Sequence, residues 1–290
     1  MQNRRDRWSL EGMRRFTRSV RRKVIRRTWR PPWGTGTAPS RLTRTQELFC
    51  LWNAERLRIS PAESQRRYVD SWKSIRGGHK GDEFVWFSNL SYQIFRVLYA
   101  DLPGELIATY QFYGPLHFLR MLSYDEPKWD DKHPLVAHLP ERSRIRILDF
   151  GCGLAPGSRS LADKLRERGC DVDLFLADIP TVRKPFLLWM GERTGFPPVF
   201  IDCTEQVPIP ALPPCDVCVA TNVFEHLVQP LEHLDAFDRA LQPGGLLWTD
   251  IADHRPEFMH VTPSLQVLRE RLEQLGYETI VPNHVYRKRS

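Results

Sequence analysis

Cysteine is scarce, with six residues at positions 50, 152, 170, 203, 215 and 218 of 290, which is too few for a disulfide framework in a chain of this size. Cys215 and Cys218 form a C-x-x-C pair, but no second pair or nearby histidine completes a tetrahedral zinc site. They lie in Cys-Asp-Val-Cys-Val-Ala, which reads as a buried strand where cysteine acts as a small hydrophobe. No apolar run reaches the roughly 18 residues that a membrane span needs. The nearest, Phe84 to Ala100, is broken by Ser88, Asn89, Gln93 and Arg96 and reads as a helix buried in protein. No apolar stretch of the kind that marks a secretory signal follows the basic start. The expected compartment is therefore the reducing cytoplasm, with peripheral membrane attachment left open. No internal repeat is visible.

What is present is a globular composition, 41% hydrophobic and 27% charged, enough for one full domain with additions around it. The net charge of +7 is unevenly distributed. Residues 1 to 30 carry twelve Lys and Arg against Asp6 and Glu11, a surplus of +10 that leaves the rest of the chain at −3. Leu10, Met13, Phe16, Val20 and Val24 recur at helical spacing in this segment, so it reads either as a basic amphipathic helix or as a solvated tail. As a helix it suits an anionic membrane surface, RNA phosphates or docking on its own protein. Pro31-Pro32-Trp33-Gly34 ends it.

Three regions follow: 1–43, a basic tail and linker; 44–140, a helical, aromatic-rich region expected to cap a ligand crevice; and 141–290, an α/β domain. Residues 44 to 130 hold sixteen of the thirty-two aromatic residues. Helices are expected near 44–58, 61–75, 86–100 and 104–123, with a flexible Gly77-Gly78-His79-Lys80-Gly81 loop between two of them. Ser60-Pro61-Ala62-Glu63 is a helix start. From Arg144 short apolar runs at 145–150, 172–177, 198–201, 217–220 and 246–249 alternate with helical stretches near 157–168, 182–193, 229–241 and 264–275. That alternation predicts a doubly wound, mostly parallel sheet with helices on both faces. Tyr277 to Val281 and His284 to Arg289 read as a closing hairpin.

The chemistry-bearing segment is Ile147-Leu148-Asp149-Phe150-Gly151-Cys152-Gly153-Leu154-Ala155-Pro156-Gly157, an apolar strand, a glycine loop and a helix start. Glycines at a strand end let a ligand approach the backbone, and the helix start presents free N–H groups. As a dinucleotide fingerprint it fails, because Pro156 stands where the third glycine is required. The internal acid, Asp149, also suits a pyrophosphate poorly.

Asp-Phe-Gly-Cys-Gly resembles the first motif of the class I S-adenosylmethionine-dependent methyltransferases. Further segments resemble that family in order: Leu174 to Ile179, Cys215 to Leu227, Leu241 to Gly245, His260 to Pro263 and Leu275 to Tyr277. The resemblance spans residues 144 to 290 and implies a seven-stranded Rossmann-like sheet with its last strand antiparallel. It also implies that Asp149, Gly151, Cys152 and Gly153 face the amino-acid portion of S-adenosylmethionine, that Asp178 accepts both ribose hydroxyls beside Ile179, and that Asn222 borders the site. The adenine contact departs from the family pattern, since Cys203 rather than Asp202 aligns with the usual acid. Asp202, Cys203 and Thr204 all stay as candidates. Asp149 reads alternatively as a loop cap.

Glu225 and His226 follow the fourth strand and are the catalytic candidates. A histidine there serves equally as a base or as a structural residue. Two ligands are too few to argue a metal. The expected reaction is methyl transfer to an O or N nucleophile of a small or lipid-linked molecule. Two alternatives stay open: an RNA methyltransferase using the basic tail, and a cofactor-binding interaction protein without turnover. An Asn-Pro-Pro-aromatic segment, typical of base-directed amino methyltransferases, is absent, since the strand ends Ala220-Thr221-Asn222-Val223.

Overall fold

The computed structural model describes residues 42–76, 121–122, 127, 129–181, 183–204, 207–253, 262 and 264–289, without the side chains of 71–76. The basic tail and linker, the glycine loop at 77–81, the helix expected near 86–100 and most of that near 104–123 lie outside the described residues, as do Glu205, Gln206, His260, Val261 and Pro263. The chain divides into two units, with the boundary after residue 123.

In the first unit, α1 (Arg44–Leu57) and α2 (Pro61–Arg76) stand where the sequence predicts them. Thr43 and Gln46 form a reciprocal capping box, with Gln46 N donating to Thr43 Oγ1 at 3.2 Å and Thr43 N to Gln46 Oε1 at 2.9 Å. These bonds satisfy donors that a helix start leaves unpaired. Ser60 Oγ likewise accepts from Glu63 N at 3.1 Å. The Glu63 carboxylate pairs with Arg67 and Arg66. Phe49, Trp52 and Tyr68 are buried, and the Phe49 ring meets Tyr68 edge-on at 5.8 Å.

The second unit holds a seven-stranded sheet in the order β3-β2-β1-β4-β5-β7-β6. Its strands are β1 (Arg144–Phe150), β2 (Asp171–Asp178), β3 (Val199–Asp202), β4 (Cys215–Ala220), β5 (Leu241–Thr249), β6 (Glu278–Val281) and β7 (Val285–Arg287). The first five pair in parallel, and β7 is antiparallel to both β5 and β6. This is the expected architecture. The connecting helices are α4 (Pro156–Glu167), α5 (Arg183–Thr194), α6 (Pro230–Ala240) and α7 (Gln266–Gln274), with a short α3 (Pro134–Ala137) before the sheet that the sequence reading did not separate. Strand order reverses between β1 and β4, so a ligand crevice is expected outside their carboxyl ends.

One boundary differs from expectation. Strand β5 begins at Leu241 rather than Leu246, because Leu241 pairs with Cys215 before the register jumps to Leu246 against Val217. Gln242-Pro243-Gly244-Gly245 is thus a bulge inside the strand. Gly244 has φ +76°, and a Cβ on Gly245 would lie 3.0 Å from the Asp216 carbonyl oxygen. The core is apolar on both faces of β1 and β4. Leu148, Cys218, Phe224, Phe237, Leu247 and Leu268 share one buried cluster.

Candidate functional site at the β1–β4 switch point

The loop after β1 is tied to the end of β2. Gly151 N donates to the Ala177 carbonyl at 2.8 Å, and Gly153 N donates to Asp178 Oδ2 at 2.7 Å. Both glycines are left-handed, with φ +67° and +57°. Ala155 adopts φ +53° just before Pro156 opens α4. Left-handed Ala155, like Asn222 at φ +52° beyond β4, is uncommon for a residue with a side chain. Such strain collects at ligand-binding turns. The two loops meet directly, because a Cβ on Gly151 would lie 2.3 Å from Val223 Cγ2.

Two carboxylates are buried here, Asp149 at 5% and Asp178 at 7% exposure. Asp149 Oδ2 accepts from Ser158 Oγ at 2.5 Å, nine residues away in the first turn of α4. Asp178 accepts from Gly153 N, from Ile179 N at 2.6 Å, and from Arg183 Nη2 at 3.0 Å. Asp178 therefore holds the loop together in addition to any ligand role, so its removal would disturb local structure. Ser158 and Arg183 escape sequence reading because their partners are chosen by how α4 and α5 return to the sheet. Burial also pushes the Cys152 thiol up, and raises Cys203 to about 12, with the Asp178 charge adding to both. Neither is a thiolate nucleophile near neutral pH.

Burial pushes the Asp149 carboxyl up to about 7, opposed by the Ser158 hydroxyl and aided by the Asp178 charge. A folded-state value above the unfolded one means the folded protein keeps a proton that the unfolded chain releases from about pH 4 upward. Stability is fully present below that point and falls as pH rises toward 7, by about 4 kcal/mol for a three-unit shift. Urea titrations at pH 5 and pH 8 should show the part of this fall above pH 5, about 3 kcal/mol, in the wild type and a smaller one in Asp149→Asn. An equal fall in both proteins would assign the proton to another group.

The three adenine-side candidates separate. Asp202 is exposed and bound by Lys184 Nζ at 2.8 Å to each carboxylate oxygen. Cys203 is buried, and its N–H donates to the Asp178 carbonyl at 2.9 Å. Thr204 turns back on the chain, its hydroxyl accepting from Val207 N at 3.1 Å. Ile179 stands 48% exposed beside Asp178, an apolar surface at the crevice side of β2.

Beyond β4, Phe224–His226 forms a single 3-10 turn. Phe224 is fully buried against Phe237 at 5.7 Å between ring centroids, which anchors the turn in the core. Glu225 is 3% exposed, and its Oε2 has no hydrogen-bond partner among the described residues. Its Oε1 lies 3.8 Å from His226 Nε2, and the His226 side chain is 40% exposed. Thr262, from the segment that follows β5, clamps the turn: its N–H donates to the Glu225 carbonyl at 3.2 Å and its hydroxyl to the Leu227 carbonyl at 2.8 Å. Sequence reading noted the Thr262 segment but gave it no such task.

The donor set discriminates between cofactors. Asp178 and Glu225 are buried acids, and Asp149 is a third that burial holds partly protonated near neutral pH, a setting that disfavours a pyrophosphate. They suit a ligand that carries positive charge and hydroxyl donors and no phosphate, as S-adenosylmethionine does.

Comparison with known proteins agrees. Residues 121–286 match the model of a methyltransferase domain. A ubiquinone biosynthesis O-methyltransferase from Cereibacter sphaeroides is 29% identical over 126 residues, 42% of this chain and 47% of the relative, so the chain spans about half the length of the curated relative it matches. Among solved structures, the [4+2]-cyclase SpnF is similar with a TM-score of 0.38 at 18% identity, over 50% of this chain and 56% of that one. An S-adenosylmethionine-dependent methyltransferase from Aquifex aeolicus has a TM-score of 0.36 at 18% identity, over 49% and 79%. With its motifs in order on a 3-2-1-4-5-7-6 sheet and more than half of its length matched, the chain belongs to the S-adenosylmethionine-dependent methyltransferase family.

Proposed function

We propose that this protein methylates an oxygen or nitrogen nucleophile of a small or lipid-linked acceptor, with oxygen as the first choice. The observation that carries the reading is the buried, unpartnered Glu225 Oε2 beside the exposed His226 on the turn that leaves β4. A buried carboxylate oxygen without a partner is costly, and a hydroxyl-bearing acceptor would satisfy it. The relative's name, an O-methyltransferase of ubiquinone biosynthesis, supports the same acceptor atom.

Bound S-adenosylmethionine supplies an activated methyl group and leaves as S-adenosylhomocysteine. The loop at Gly151 to Gly153, with Asp149, holds the amino-acid end, and Asp178 accepts from the ribose. Ile179 offers an apolar face to the base, bordered by Cys203 and the backbone near Thr204. Asn222 lines the exit of β4. Methyl transfer depends chiefly on alignment and exclusion of water. A base contributes only when the acceptor arrives protonated. Glu225 Oε1, 3.8 Å from His226 Nε2, is placed to stabilise the imidazolium that forms as the ring takes the acceptor's proton.

The partner of the basic segment 1–30 is proposed to be an anionic membrane surface, where a lipid-linked acceptor would be met. Among the described residues no helix is long and apolar enough to cross a membrane. Each surface-bound Lys or Arg contributes about 1 kcal/mol. Incubation with methyl-labelled S-adenosylmethionine and lipid, small-molecule or RNA fractions tests both points. Label is expected in the lipid or small-molecule fraction, and deletion of residues 1–30 should lower labelling of vesicle-borne acceptor at low salt. Label confined to RNA would overturn the reading in favour of the RNA alternative.

A further inference from the structure

The Asp178 carboxylate is already saturated. Its Oδ1 accepts from Ile179 N at 2.6 Å and Arg183 Nη2 at 3.0 Å, and its Oδ2 from Gly153 N at 2.7 Å and, weakly, from Cys152 Sγ at 3.8 Å. A carboxylate offers about four lone-pair positions. Two vicinal hydroxyls therefore find no pair of vacant acceptors. Three of the four donors belong to main chain or to the motif loop itself. The fourth is the end of a long side chain.

Arg183 is the first residue of α5. Its Nε donates to Thr181 Oγ1 at 2.8 Å, and its main-chain N–H reaches the same oxygen at 3.3 Å. Thr181 is itself buried. The guanidinium is thus anchored at its inner nitrogen, and an outer nitrogen holds Asp178. Rotation about the side chain moves Nη2 off the carboxylate without disturbing Ile179 or Gly153.

We infer that Arg183 is a latch on the ribose subsite: its guanidinium occupies Asp178 Oδ1 and must be displaced by the vicinal hydroxyls of the cofactor. The inference rests on the reading of Asp178 as the ribose acceptor given above. The ion pair is largely desolvated, with the Arg183 and Asp178 side chains 13% and 9% exposed, so salt screens it little. It pairs with a carboxylate whose charge also bears on buried Asp149. Its rupture is subtracted from the binding free energy. Selectivity follows, since only a ligand presenting two adjacent donors replaces what the guanidinium gave.

The test is calorimetric titration of the full chain with S-adenosylhomocysteine, which requires no turnover. Arg183→Met keeps the length of the side chain without its charge, and Arg183→Gln serves as the second variant should the first fail to fold. Each is expected to bind about tenfold more tightly than wild type, equivalent to about 1.4 kcal/mol. Unchanged affinity would show that the guanidinium does not compete, and weaker affinity that it contacts the cofactor. Either result overturns the latch alone. Failure of the wild type and both variants to bind at all would overturn the reading of the ribose site, and the latch with it.

Discussion

Replacing His226 by alanine should lower turnover of the acceptor by about 100- to 10,000-fold, the usual contribution of a positioned general base. Cofactor affinity should stay close to wild type, because the loop that follows β1 is held by Ala177 and Asp178 of β2, not by the turn that carries His226. The side chain is 40% exposed, so its removal opens no core cavity and the variant should fold. Three neighbours hold the imidazole in place. Phe224 fixes the turn in the core, the Glu225 carboxylate lies 3.8 Å from the imidazole, and Thr262 ties both flanks of the turn. The loss should shrink for an acceptor that needs no deprotonation. Wild-type turnover in His226→Ala, with methyl transfer shown to limit the rate, would make His226 a structural residue and remove the catalytic assignment.

Gly151→Ala should cost about 2 to 5 kcal/mol of stability, from two separable causes. A left-handed φ of +67° penalises any L side chain by about 1 to 2 kcal/mol. The added methyl would also lie 2.3 Å from Val223 Cγ2 and 3.0 Å from its Cβ, and overpacking of this kind costs about 1 to 3 kcal/mol. Valine branches at Cβ and has no flexible end to move aside. In a domain of this size the melting temperature should fall by roughly 4 to 20 °C. Gly169→Ala is the control, because Gly169 has φ +83° with nothing within 4 Å of the added Cβ. It should lose only the backbone part. Equal losses at the two positions would show that contact between the β1 and β4 loops carries no weight. Because the same contact positions the motif loop, Gly151→Ala should also weaken cofactor binding where Gly169→Ala does not.

The sequence alone determined what depends on near neighbours in the chain. Strands β1 and β2 were legible because short, mostly apolar runs mark them, and α2, α4 and α6 each have a proline at the first turn. Glycines 151 and 153 between strand and helix marked the ligand loop, and Glu225-His226 could be placed after β4 by order alone. Tertiary structure decided everything set by the approach of distant segments. Leu241 pairs with Cys215 across 26 positions, which moved the start of β5 ahead of a Pro-Gly-Gly bulge that reads locally as a turn. Asp202, one of three candidates for the adenine side with Cys203 and Thr204, is paired with Lys184 of α5. Ser158 reaches Asp149, Arg183 reaches Asp178, and Thr262 reaches the Glu225 turn because helices and loops return to one edge of the sheet. Periodicity reports which face of an element is buried. It does not report which polar group from another element arrives to meet a buried carboxylate, and at this crevice that arrival determines whether Asp149 is protonated, what Asp178 has left to offer a ribose, and where His226 stands.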